Sequence, residues 1–414
     1  MDEKLYYSNG PSEWEYRQLG DVVTFQGGSQ PPKKYFSNEK LDGMIRLIQI
    51  RDYKSNSFKT YVPKELCRRF CNSDDIMIGR YGPPIFQILR GIDGAYNVAL
   101  IKAIPNEEVL NKEYLYYFIK NEHLFKLIDG LSQRTSGQTG IDMEVLKKYI
   151  IPIPSKDEQE KIASILSTVD EQIDNVDALI EKNKELKKGL MQTLLIKGIG
   201  HTKFKKTEIG EIPEEWEVGT LSSIIDKNRK ITYGIVQPGE YVECGKYVIR
   251  AKDYSFGWVR VEEIFKCDGL VEKSYARARV KEGDVLLTIV GSVGNLAIVP
   301  SVLNEANITQ QTARLSFDKN KVNNVFYYNY LKSDRAIKEI NKYMKSGVQP
   351  SLNLSDVEKF KIVIPSIEEQ ERISLILSSV DEKVEQYENK KQKLEELKKG
   401  LMQQLLTGMI RVTV

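Results

Sequence analysis

Histidine is nearly missing from this 414-residue chain, which holds only His123 and His201. That scarcity argues against a zinc site and against histidine-based acid–base or nucleophilic catalysis. Cysteine is also sparse. Cys67, Cys71, Cys244 and Cys267 make no disulfide framework, and a reducing cytoplasm is the expected setting. Cys67 and Cys71 stand four apart, but no second Cys or His pair completes a tetrahedral set, so no metal is expected. No window approaches 18 uninterrupted apolar residues, which excludes a helical membrane span. The opening MDEKLYYSNG has neither a basic nor an apolar leader region, so no signal peptide is expected. Charge of one sign is lacking too. Lys plus Arg number 61 against 58 for Asp plus Glu, a net of +3. Such a balance excludes a non-specific nucleic-acid sponge, yet permits a specific binder with its cations on one face.

The common catalytic signatures are absent as well. There is no GxxxxGK[ST] phosphate loop, no GxSxG elbow, no HExxH and no GxGxxG behind a strand. Gly82-Pro83-Pro84-Ile85 only echoes the Asn/Asp-Pro-Pro-aromatic motif of amino-methyltransferases, with the wrong first and last residues. No catalytic residue is assigned.

What is present is an internal duplication. Residues 154–195 realign on 365–406 at a constant offset of 211, without a gap and with 23 of 42 positions identical. Beyond this stretch the likeness fades but persists. Pro11, Glu13, Trp14, Glu15 and Leu19 match Pro213, Glu215, Trp216, Glu217 and Leu221, and Arg51-Asp52-Tyr53 matches Lys252-Asp253-Tyr254. YLYYFIKN from Tyr114 is similar to VFYYNYLKS from Val325, and IIPIP from Ile150 to KIVIP from Lys361. The order is therefore variable module, near-constant segment, variable module, near-constant segment. We divide it at 1–154, 155–200, 201–365 and 366–414.

The near-constant segments read as helices with a heptad seam. In the first, Ile162, Leu166, Val169, Ile173, Val176, Ile180, Leu190 and Leu194 step by alternating fours and threes, with Asn183 and Lys187 interrupting. In the second, the series is Ile373, Leu377, Val380, Val384, Leu394, Leu401 and Leu405, interrupted by Tyr387, Lys391 and Lys398. Leu186 and Leu397 sit just off the seam. Ser155 and Ser366 are candidate N-caps, with Glu158 and Glu369 three residues on as in a capping box. Each helix of about 40 residues would be roughly 60 Å long. One chain with two seams can satisfy them against each other, antiparallel about a pseudo-twofold axis; alternatively each helix packs on its own module alone. Gly189 and Gly400, matched inside the helices, suggest a close helix contact or a bend, against the alternative of a tolerated defect.

The modules read as mixed α/β, or α+β in class. GMIRLIQI from Gly43, DIMIGR from Asp75 and NVALIKAI from Asn97 are strand-like, and a helix is expected from about Asn111 to Ile128. KYVIRA, DVLLTIV, ARLSF and a helix from about Val325 to Met344 repeat the series.

Turns in both modules carry residue types that can read DNA. Arg and Lys suit phosphates and guanine edges, Gln and Asn adenine edges. In module one these candidates are Lys33, Lys34, Arg51, Arg80, Tyr81, Gln133, Arg134 and Gln138. In module two they are Gln237, Lys252, Arg277, Arg279, Gln310, Gln311 and Gln349. Any one of them taken singly also fits a solvated loop.

The arrangement resembles the specificity (S) subunit of Type I restriction–modification systems. The resemblance spans essentially the whole chain and rests on PxxxEQxxI leading into a helix that ends LKKGLMQxLL. That pattern occurs twice, with Glu-Trp opening each module. It implies that the modules are target recognition domains, each reading half of a bipartite double-stranded DNA site. The helices would be the conserved regions that set the spacer and dock two methyltransferase (M) subunits. It implies further that S-adenosylmethionine and ATP belong to M and restriction (R) subunits, while this chain is non-catalytic and binds no cofactor. Two other readings stay open on the residues alone. One is a coiled-coil adaptor with protein-binding modules; the other is a self-contained DNA-modifying enzyme with an unrecognised site.

Overall fold

The computed structural model describes residues 11–132, 140–345, 347 and 349–413. It divides into two compact units, Met1–Asp177 with Asn389–Val414, and Ala178–Glu388. Among the described residues no helix is long and apolar enough to cross a membrane.

The strands of the first unit are β1 (Glu15–Gln18), β2 (Val23–Gly27), β3 (Met44–Ile48), β4 (Tyr61–Pro63), β5 (Phe70–Cys71), β6 (Ile76–Gly79), β7 (Gln87–Leu89), β8 (Gly94–Tyr96), β9 (Leu100–Pro105) and β10 (Ile150–Ile153). They form an antiparallel sheet β2-β9-β6-β7, a mixed sheet β4-β3-β8-β5 and the antiparallel pair β1-β10. The period-two pattern of β6 explains the layering. Ile76 and Ile78 face a large core shared with the helices, while Met77 points the other way, among Ile48, Tyr96 and Leu100. Both faces of this sheet are thus covered, which is why the strand reads as a continuous apolar run.

The second unit repeats the plan with β11 (Phe204–Thr207), β12 (Gly210–Pro213), β13 (Glu217–Thr220), β14 (Thr232–Tyr233), β15 (Lys246–Ile249), β16 (Lys266–Cys267), β17 (Val285–Thr288), β18 (Leu296–Ile298), β19 (Asn307–Ile308), β20 (Thr312–Leu315) and β21 (Lys361–Ile364). Sheet β14-β20-β17-β18 answers β2-β9-β6-β7, and β13-β21 answers β1-β10. In sheet β16-β15-β19 the parallel neighbours β15 and β19 answer β3 and β8. Val285 and Leu287 face the helix-side core and Leu286 the opposite one, as Ile76, Ile78 and Met77 do in the first unit.

The single helix expected over 111–128 is two helices, Lys112–Ile119 and Glu122–Ser132. The side chain of Asn121 accepts the Leu124 N–H at 2.8 Å and starts a new helix inside the apolar run. Ser333 does the same for Ala336, so 325–344 also divides, into Asn324–Leu331 and Asp334–Tyr343.

A central helix (Lys156–Lys197) and a distal helix (Ile367–Leu405) complete the chain. In the first unit Ile162 and Leu166 of the central helix join the module-one core together with Leu405 and Leu406 of the distal helix. Lys391 reaches Asp177 at 2.7 Å, and Lys398 pairs with Asp170. As one number rises the other falls, so these segments run antiparallel. In the second unit Leu195 joins Ile373 and Leu377 in the module-two core, and Lys187–Asp381 at 2.6 Å and Lys184–Glu388 at 3.2 Å give the same antiparallel sense. Packing of each helix on its own module alone does not describe either unit. Val169, Val176, Ile180, Val380 and Leu394 are also buried, and Ile173, Leu190, Leu194, Val384 and Leu401 half-buried. Among the described residues Gly189 and Gly400 mark no close contact. A Cβ at either would meet no atom within 4 Å, and both lie inside unbroken helices.

Candidate nucleic-acid interface

In each module the loops at one end of the central sheet gather polar side chains. In module one that end is built by the exits of β2, β3 and β6 and the turn into β9. Gly28 N–H bonds Leu100 O, Arg80 N–H bonds Ala99 O, and Asn97 N–H bonds Ile48 O. Gly28 has no room for a side chain, because a Cβ would lie 1.9 Å from the Asn97 carbonyl oxygen. This end presents Arg51, Arg80 and Tyr81. Arg51 is exposed on a 3-10 turn and touches Thr60 Oγ1 at 3.2 Å. The Arg80 guanidinium lies 5.3 Å from the Tyr81 ring, and its Nε has no partner among the described residues. Lys33 and Lys34 are exposed on the 3-10 turn that follows the β2 loop. Gln133, Arg134 and Gln138 lie outside the described residues.

The same end of module two collects Gln310, Gln311, Gln349, Gln237 and Lys252, all exposed. Gln310 N–H bonds Ile235 O, Ile289 N–H bonds Gln311 O, and Gly291 N–H bonds Pro350 O, so three separate loops are tied edge to edge. Thr309 N–H bonds Ile249 O and brings in the turn that bears Lys252.

The matched Asp-Tyr pairs beside Arg51 and Lys252 are structural. Asp52 accepts the Gln49 N–H at 2.6 Å, and Asp253 accepts the Arg250 N–H at 2.8 Å, each sealing a 3-10 turn. Tyr254 is buried with its hydroxyl 2.9 Å from Thr288 and Thr312. The neighbouring cations are left pointing outward.

Arg277 and Arg279 stand elsewhere. Leu286 pairs with Arg314 in the register of β17 and β20, and the two arginines lie beside Arg314, at the end of the sheet away from Gln311. Arg279 forms a two-point ion pair with buried Glu272, at 2.7 and 2.9 Å, and its hydrogen bonds hold that carboxyl below the usual range. Arg314 is only 3% exposed and donates to the carbonyls of Arg277, Arg279 and Lys230. Burial, followed by the nearby Arg229, pushes its pKa down to about 10, so it stays charged at neutral pH. It floors a cleft of about 650 Å³ rimmed by Lys227, Lys230, Arg277, Lys281 and a lone Glu305. Cations in this density suit a phosphate.

Sequence reasoning missed how the frame grips each module. Ser155 and Ser366 do cap, accepting the N–H of Glu158 and Glu369 at 3.2 and 3.3 Å. The glutamates face the module instead of closing a capping box. Glu158 accepts the Trp14 indole N–H at 3.1 Å and two bonds from Arg411; Glu369 accepts the Trp216 indole N–H at 2.8 Å and is bonded to His201. Next to them, Gln159 accepts the Asn111 N–H at 2.7 Å and Gln370 the Asn323 N–H at 2.9 Å. The recurrence of Trp and Glu-Gln in both copies was the available signal. Among the described residues no group of three or more His, Cys, Asp or Glu is placed to hold a metal ion.

Comparison with known proteins agrees with this geometry. The family described as Type I restriction modification DNA specificity domain matches twice, at residues 11–186 and 213–396. The type I restriction enzyme MjaVIII specificity subunit of Methanocaldococcus jannaschii is 30% identical, over 97% of this chain and 94% of that one. The type I restriction enzyme EcoBI specificity subunit of Escherichia coli is 28% identical over 87% of this chain and 77% of its own length. In fold, the chain is similar to the crystal structure of a type I restriction–modification S subunit from M. genitalium, with a TM-score of 0.58, 19% identity and 97% of each chain covered. With both of its repeats matched and a relative aligned over nearly its whole length, this chain belongs to the Type I restriction–modification DNA specificity family.

Proposed function

We propose that this chain is the non-catalytic specificity subunit of a Type I restriction–modification complex in the cytoplasm. Each module reads one half of an asymmetric bipartite site in double-stranded DNA. The two long helices, shared by both repeats, fix the length of the unread spacer and dock two methyltransferase subunits, which restriction subunits join. S-adenosylmethionine and ATP are held by those partners.

One observation carries this reading. The frame repeats its bonds, Trp14–Glu158 as Trp216–Glu369 and Asn111–Gln159 as Asn323–Gln370, while the polar loop ends do not repeat their residues. Arg80-Tyr81 after β6 is answered by Ile289-Val290 after β17, and Val98-Ala99 before β9 by Gln310-Gln311 before β20, a divergence that suits two readers of different sequence. The helices supply the docking face. Leu186 and Leu397, at matched positions, are 51% and 50% exposed, and each stands three residues from an open glycine, Gly189 or Gly400. Two identical exposed steps suit two copies of one partner.

The test is co-expression with the cognate methyltransferase subunit and mapping of methylated adenines across the host genome. Two short, different sequence blocks at a fixed gap are expected. A continuous motif, or none, would overturn the two-reader reading, and turnover of S-adenosylmethionine by the purified chain alone would overturn its non-catalytic role.

A further inference from the structure

We propose that Phe58 and Phe256 are aromatic wedges that enter the DNA duplex between base pairs, one for each half-site; this rests on the DNA-reading function proposed above. Phe256 is fully exposed and Phe58 is 68% exposed, whereas no other described phenylalanine exceeds the 41% of Phe70. A phenylalanine held in water forgoes the burial that normally justifies it. Two of them occur here at one topological position. Phe58 lies in the connection from β3 to β4, and Phe256 in the connection from β15 to β16, which is its counterpart in the duplicated sheet.

Both connections are anchored so that the ring points out. Each begins with the 3-10 turn sealed by Asp52 or Asp253. In module one Ser55 Oγ accepts the Ser57 N–H at 3.1 Å and starts the short turn Asn56–Phe58. In module two Ser255 Oγ donates to Ala251 O at 2.7 Å and accepts from Asn295 Nδ2 at 3.1 Å, ahead of Gly257 at φ +98°. Asn295 follows the Gly291–Gly294 turn, so the ring stands beside the polar sheet end described above.

Each connection carries an exposed cation close to the 3-10 turn, and that of Phe256 also holds exposed Glu262 and Glu263 farther along. Arg51 and Lys54 are exposed in the Phe58 connection and Lys252 in the Phe256 connection, while Asp52 and Asp253 are buried and turned inward. A cation to hold a phosphate next to an apolar wedge is the chemistry by which proteins unstack a base step. Phe58 has Lys54, Ser55, Asn56, Ser57 and Lys59 for chain neighbours, and Phe256 sits between Ser255 and Gly257 at the rim of an open cleft whose lining includes Trp258, Tyr328, Leu331 and Lys332.

The experiment uses the full chain with its methyltransferase subunits on duplexes bearing the genome-mapped motif. 2-Aminopurine replaces one base at a time through each half-site. The wild type should show a fluorescence rise at one step in each half. Phe256→Ala should abolish the rise in one half only and Phe58→Ala in the other, each weakening binding on the order of tenfold. Melting temperature and co-purification with the methyltransferase should stay unchanged. Unaltered fluorescence and affinity in both variants would overturn the wedge. Loss of methyltransferase co-purification with DNA contacts intact would overturn it too, assigning the rings to a protein contact. If the wild type itself lacks sequence-selective binding, the DNA-reading function fails, and the wedge with it.

Discussion

Trp14 and Glu158 lie 144 residues apart and meet through an indole N–H···carboxylate hydrogen bond of 3.1 Å. Burial by itself would raise the Glu158 carboxyl. Hydrogen bonds from Arg411, Trp14 and the Val412 N–H overcome that and hold it below the ordinary carboxylate value. One buried side chain thus joins the start of module one, the start of the central helix and the tail after the distal helix.

Glu158→Ala should lower the stability of the first unit by about 2 kcal/mol. Most of this comes from the orphaned Trp14 N–H, and less from Arg411, which is half-exposed and keeps water as a partner. Thermal melting of the purified chain checks it.

The pH dependence has a definite sign. A carboxyl whose folded pKa is depressed contributes stability above its unfolded pKa, and that contribution is lost as pH falls through the folded value. The gap in melting temperature between wild type and Glu158→Ala should therefore be full at neutral pH. It should narrow as pH drops below the ordinary carboxylate value of 4.5, where the part of the bonding that depends on the charge is lost. A gap that widens on acidification would refute the assignment.

Gly189→Ala and Gly400→Ala should each stabilise the isolated chain, by about 0.5–1 kcal/mol, since the added methyl meets nothing and helix propensity improves. If a partner helix lies against these positions, the same substitutions should weaken co-purification with the methyltransferase.

Leu166 and Leu377 are fully buried in the two module cores. Leu166→Ala should cost about 3 kcal/mol and Leu377→Ala as much in the other unit. In a methylome the expected outcome is a loosened or lost spacer with both half-motifs intact. Unchanged spacing in both variants would count against a helical ruler.

Arg51→Ala should degrade recognition of one half-site, and Lys252→Ala that of the other. Binding measured on both cognate and scrambled duplexes separates the possibilities. Equal loss on both marks a phosphate contact instead of base reading.

The frame was legible in the sequence because its signals are local and occur twice: heptad steps, a serine before each helix, Trp and Glu-Gln at fixed places. What resisted reading were competitions that only the folded chain decides. Glu158 has the spacing of a capping box, yet an indole from a distant strand end takes its oxygens. Asn121 sits in an apolar helical run, yet its side chain claims the Leu124 N–H and restarts the helix. Arg279 looks like a free cation until Glu272, seven residues back, is seen to be buried against it. That Gln310 and Gln311 share an end with the Gly291 turn depends on the β17–β20 register, a pairing no sequence window contains.

Gln159 and Gln370 hold their modules by main chain alone. Gln159 accepts the Asn111 N–H and donates to the carbonyls of Val109 and Pro154; Gln370 accepts the Asn323 N–H and donates to Pro365 O. A latch that closes on peptide groups is blind to the side chains around it. The reading loops are therefore free to drift in composition, even to be replaced wholesale, without the socket that seats them having to change.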